Sequence, residues 1–148
     1  MRRTMMHYAV IMALAGFGVP ILAAMNAQLG ARIESPAAAA AIMFMVAFAV
    51  AFVVAVIVAP KGFVRLPDVP PHLFLAGVLI AFYLLSITFI APHFGIGNAV
   101  FFVLLGQLFS AALIDHFGLF SAQASPVSVT RAAGVGVMAV GVWLTQLA

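Results

Sequence analysis

Charge is what this sequence has least of. Only 6% of its 148 residues are Asp, Glu, Lys or Arg, where a soluble domain carries about 25%. Cysteine is absent, which excludes disulfides, thiolate metal sites and a cysteine nucleophile. The three acidic residues, Glu34, Asp68 and Asp115, all fall at or between the ends of the apolar runs. The simplest intramembrane device for exchanging protons against a cationic substrate, a carboxylate at the membrane midplane, is therefore missing. The four histidines have no metal-ligand spacing with carboxylates, and no nucleophile, acid and base constellation is visible. No enzyme activity, cofactor or metal is expected. The six basic residues are scattered and not interleaved with aromatics, so the isoelectric point near 10.2 carries no nucleic-acid implication.

What is present is apolar. Hydrophobic residues make up 67% of the chain, and the mean hydropathy is +1.30. A short chain buries the smallest fraction of its surface and could not hide so much apolar area from water. The solvent must be lipid. Five apolar runs, at about 7–30, 36–59, 72–92, 97–114 and 131–148, each come near the roughly 20 residues that cross the hydrocarbon core. The mixed Ala, Leu, Met and Phe runs lack the alternation of an outer-membrane strand. The expected fold is an all-α integral membrane protein, a single transmembrane domain over 1–148 built as a five-helix bundle. The first run imitates a signal peptide, with Arg2-Arg3 ahead of it and a small-residue end, but its length is that of a retained membrane helix.

The breaks between runs carry nearly all the charge and the turn residues. Glu34-Ser35-Pro36 separates the first two. Lys61 to Asp68 with Pro70-Pro71 separates the second from the third, and Ala91-Pro92-His93-Phe94-Gly95 makes a tight third turn. Asp115 to Thr130 is the longest connection, and Asp115 is expected to pair with a basic neighbour such as Arg131. Alternate loops share a side of the membrane. Arg2, Arg3, Lys61, Arg65 and Arg131 fall on one side and Arg32 alone on the other. The positive-inside rule then puts the N-terminus in the cytoplasm and the C-terminus outside.

Small residues recur on helix faces: Gly16 on the first helix, Gly77 on the third, Gly106 on the fourth, Gly134 and Gly141 on the fifth. Such stripes let helix backbones approach where lipid supplies no hydrophobic force, and some could face a cavity or a second subunit. Pro20 interrupts the first helix and is expected to kink it, which suits a substrate pathway. The polar side chains inside the runs are few. Asn26, Tyr83, Ser86, Gln107 and Ser110 are the candidate pathway residues. Gln107 is expected to point inward, because an amide facing lipid leaves its groups unsatisfied.

The residues also resemble a known family. Pro20-Ile21-Leu22-Ala23-Ala24-Met25-Asn26-Ala27-Gln28-Leu29-Gly30 is similar to the first-helix motif of the YdcZ-like proteins, a five-helix branch of the drug/metabolite transporter superfamily. Ala91 to Gly95, then Gly106-Gln107-Leu108, then Asp115-His116-Phe117-Gly118-Leu119-Phe120 resemble that family's most distinctive signature, and Arg131, Gly134 and Gly141 fit its last helix. The family commonly has Gln at the position of Leu22, and Ser and Gly at those of Met43 and Ala47. The resemblance implies a small-solute exporter of the bacterial inner membrane without an assigned substrate. It further implies a dimer with an inverted, homologous five-helix subunit, because larger relatives join two such halves in opposite orientation. Two other classes use the same features: a small dimeric ion channel, and a non-transporting membrane assembly subunit that needs only the small-residue stripes.

Overall fold

The computed structural model describes residues 2–147. Ala148, the end of the expected fifth run, and the side chains of Arg2 and Arg3, used above for orientation, lie outside the described residues. All regular structure among the described residues is helical: α1 (Arg2–Arg32), α2 (Pro36–Val58), α3 (Ala76–Phe94), α4 (Ile96–Phe117) and α5 (Val129–Thr145). Among the described residues four stretches are long and apolar enough to cross a membrane, Met6–Arg32, Pro36–Val58, Pro71–Phe94 and Ile96–Phe117. α5 is apolar too but has 17 residues, the lower end of the range that spans a bilayer.

Helix ends follow local chemistry more than hydropathy. α1 closes through the Ser35 N–H, which donates to the Gly30 carbonyl at 3.0 Å in the outer bond of a Schellman motif. Glu34 takes the left-handed position there, with φ of 53°. Ser35 then serves as N-cap of α2, its Oγ accepting from the Ala38 N–H at 3.2 Å, with Pro36 at the first helical position. The segment between α2 and α3 is not irregular chain. It forms short 3-10 helices over Pro60–Asp68 and Pro71–Leu75, and Phe63 packs back against Phe52 of α2 at a tilt, with ring centroids 5.9 Å apart.

α3 runs two residues past Pro92, ending at Phe94, because the missing N–H removes one bond without reversing the chain. The break between α3 and α4 falls on Gly95, whose φ of +87° favours a residue without Cβ. α4 continues past Asp115 and His116 to Phe117, where Gly118 in the left-handed conformation donates its N–H to the Ile114 carbonyl.

The chain divides into two compact units, Met1–His93 and Phe94–Ala148. In the first, α1 packs on α2, and the buried residues are Ala23, Asn26 and Gly30 of α1, Ala39 and Ala40 of α2, and Leu84, Ile87, Thr88 and Ala91 of α3. Gly30 sits at the close approach of α1 and α2, where an added Cβ would lie 3.1 Å from the Pro36 Cα. In the second unit, α4 packs on α5. Large side chains such as Phe17, Phe48, Leu79, Phe82 and Phe109 are exposed. Water would not tolerate that much apolar surface on one small chain, and lipid covers it without cost. The protein is an all-α, multi-pass membrane protein.

Candidate functional site

Asn26 lies on α1, three residues after Ala23, so the two share the buried face. It is 3% exposed, and its Nδ2 donates to the Thr88 Oγ1 of α3 at 2.6 Å. The Thr88 hydroxyl hydrogen in turn goes to the Leu84 carbonyl one helical turn back, at 2.7 Å. The Asn26 Oδ1 is buried and has no hydrogen-bond partner, and the Tyr83 hydroxyl is in the same condition. Buried polar atoms are nearly always paired, so these two are the exceptions of the first unit.

Beside Asn26 an open groove of about 460 Å³ runs between α1 and α2, lined by Leu22, Met25 and Leu29 from one helix and Ile42, Met43 and Val46 from the other. Its lining holds no charge, and Asn26 is its one polar side chain. Pro20 lies a turn and a half earlier on α1 and is half-buried; the helix runs through it unbroken. The Pro20 ring leaves the Gly16 carbonyl without its helical N–H donor. Tyr83 and Ser86 are half-buried on α3.

The remaining expected residues belong to the second unit. Gln107 and Ser110 are exposed within it. Gln107 has no hydrogen-bond partner among the described residues, so the inward-pointing amide expected from the sequence is not seen inside its own unit. A Cβ built at Gly16, Gly77, Gly106, Gly134 or Gly141 meets nothing within 4 Å. None of the five serves a close helix contact among the described residues, and Gly30 is the glycine that does.

Two polar ties in the second unit were not foreseen or were foreseen only in part. Gln146 Nε2 donates to Asn98 Oδ1 at 3.1 Å, and Asn98 Nδ2 donates to the Phe94 carbonyl at 3.0 Å, which binds the end of α5 to the start of α4. Gln146 gave no sequence signal because it sits at the frayed end of the last apolar run. The expected Asp115–Arg131 pair is present, Nη2 to Oδ2 at 2.6 Å. The long α4–α5 connection folds back on it through the Ser125 N–H to the Asp115 carbonyl at 2.8 Å and the Val127 N–H to His116 Nδ1 at 3.2 Å. Among the described residues no group of three or more His, Cys, Asp and Glu side chains could hold a metal ion.

A family model described as "Putative inner membrane exporter, YdcZ" matches residues 7–144, nearly the whole chain. Among curated proteins and among solved structures nothing matches.

Proposed function

The chain belongs to the YdcZ family of the drug/metabolite transporters, and on that premise we propose that it works as one half of a small-solute exporter of the inner membrane. A family described by export, together with the lack of a catalytic cluster among the described residues, fits a role without chemistry on the substrate. The observation that carries the reading is Asn26: a buried amide with an unpaired oxygen, set beside an apolar groove of about 460 Å³. A fold that held Asn26 for packing alone would satisfy that oxygen or replace it, because leaving it bare costs about 1–3 kcal/mol.

In this proposal all five helices span, α5 at the shortest workable length, with the N-terminus in the cytoplasm and the C-terminus outside. The residues form a single transmembrane domain, with Pro20 and Asn26 of α1 and Tyr83 and Ser86 of α3 as the pathway residues of the first unit and Gln107 and Ser110 of α4 as those of the second. An odd number of spans joined end to end inverts the second copy, so a single chain supplies one orientation of a paired transporter. The charge bias between loops opposes dual insertion of one sequence. The partner is then an oppositely oriented homologue, and the open glycines Gly16, Gly77, Gly106, Gly134 and Gly141 are surfaces for its helices.

Gln107 provides the test. Gln107→Leu removes an amide that no described residue pairs with, so folding and expression should be unchanged. Transport, read as protection of efflux-deficient cells against a panel of toxic small solutes, should be lost. Protection equal to that of the wild-type chain would return Gln107 to a surface role and take α4 out of the pathway.

A further inference from the structure

The chemistry around Asn26 restricts what the groove can hold. Thr88 commits its hydroxyl hydrogen to the Leu84 carbonyl, so its Oγ1 can only accept from Asn26. That sets the amide orientation: the NH₂ end faces Thr88 and the oxygen is the free end. Beside the groove Asn26 thus keeps a buried Oδ1 acceptor without a donor, and at the Thr88 end a second Nδ2 hydrogen beside the one that Thr88 accepts.

Three classes of occupant fit poorly. An anion would bring negative charge toward a bare acceptor in an apolar groove. A cation would find no carboxylate, since the acidic residues of this unit, Glu34 and Asp68, lie in the α1–α2 turn and the α2–α3 segment. Burying an unpaired charge costs far more than one hydrogen bond returns. A water molecule needs about 2–4 polar partners, and Asn26 is the one polar residue of the lining. An uncharged solute with an apolar body and a single N–H or O–H fits. It covers the groove walls and completes the acceptor, and it needs no charge partner in the membrane.

We infer that the α1–α2 groove binds small uncharged, largely apolar solutes that donate one hydrogen bond to Asn26 Oδ1. This rests on the pathway reading above and names its cargo class. The groove volume of about 460 Å³ lies inside the usual range for small-molecule sites. Oδ1 is covered in this state, so the donor reaches it when a groove side chain moves aside. Met25 and Met43, unbranched and flexible, are the walls best able to do so. The inference also accounts for a transporter half without an intramembrane acid, because an uncharged cargo requires no counter-charge at its site.

The sequence makes the test direct, because Asn26 and Asn98 are its only asparagines. Full-length protein in nanodiscs, labelled with ¹³C at the asparagine side-chain carbonyl, should give two resonances, assigned with an Asn98→Gln variant. Indole carries one N–H on an apolar frame, and 1-methylindole is the same frame with the donor removed. With concentrations corrected for partition into lipid, indole should shift the Asn26 resonance saturably at about one-tenth the concentration that 1-methylindole requires, leaving Asn98 unmoved. Equal responses to the two, as for a groove that takes acyl chains or any apolar body, would overturn the inference, as would no response to either. Donor-selective binding in a chain that gives no protection in cells would uphold the ligand class and defeat the transport reading. Protection that depends on Gln107, with no donor preference at Asn26, would do the reverse.

Discussion

Thr88→Val isolates the bond that holds the candidate site together. Valine keeps the branched shape and removes the hydroxyl, which accepts from Asn26 Nδ2 at 2.6 Å and donates to the Leu84 carbonyl at 2.7 Å. The Leu84 carbonyl loses little, because it retains its helical partner. Asn26 loses more: its oxygen is already unpaired, so the variant buries an amide with neither end bonded. An unsatisfied buried donor costs about 1–3 kcal/mol, while hydrogen bonds between membrane helices measure about 0.6 on average and 1.7 at most. The expected loss is therefore about 1–2 kcal/mol. Asn26→Leu in the same background should recover much of it, since replacing both partners with apolar groups of similar shape is nearly neutral. The two changes should then be coupled by about 1 kcal/mol. SDS-driven unfolding in mixed micelles, followed by far-ultraviolet circular dichroism, reads all four members of the cycle. A Thr88→Val protein within a few tenths of a kcal/mol of wild type, or strictly additive losses, would refute the claim that Asn26 is held by Thr88.

Gly30→Ala should be destabilising where alanine usually favours a helix. The new methyl would stand 3.1 Å from the Pro36 Cα, a backbone atom that cannot turn away, so about 1–3 kcal/mol is expected in the same unfolding assay. Gly106→Ala, with open space around it, should leave the isolated chain unchanged. The Asp115–Arg131 pair is part-exposed, with both side chains more than a third accessible. Breaking it with Asp115→Asn should cost about 1 kcal/mol at most and less in high salt, and the salt dependence of the unfolding midpoint checks this.

Four of the five expected spans were legible in the sequence because lipid leaves little choice: a crossing segment must be apolar along its length and satisfy its own backbone. Their ends were less so. Hydropathy marks what lipid covers and not where helical hydrogen bonding stops, so α1 begins at Arg2 and α4 passes through Asp115 and His116 to the left-handed Gly118. In the third break Gly95 takes the positive φ expected of its glycine, while α3 runs two residues past Pro92 before it ends.

At the site, Asn26 stood out because an amide in an apolar run must find a partner or a purpose. That the partner would be Thr88, sixty-two positions away, depends on which faces of α1 and α3 meet, and a near-uniformly apolar helix carries no face signal to predict that. The same uniformity hid the close contact at Gly30. Glycines at helical spacing mark where an approach is allowed, and only packing shows which of them is used.

The half-transporter account depends first on the number of spans, and α5, at 17 residues, is the helix on which that number turns. A pair of reporters fused to the C-terminus, one active only in the cytoplasm and one only outside it, measures this directly. The account predicts signal from the outside reporter alone, with five spans and an inverted partner to be found. Signal from the cytoplasmic reporter would contradict it, because α5 would not cross and a chain with an even number of spans has no inverted half to complete.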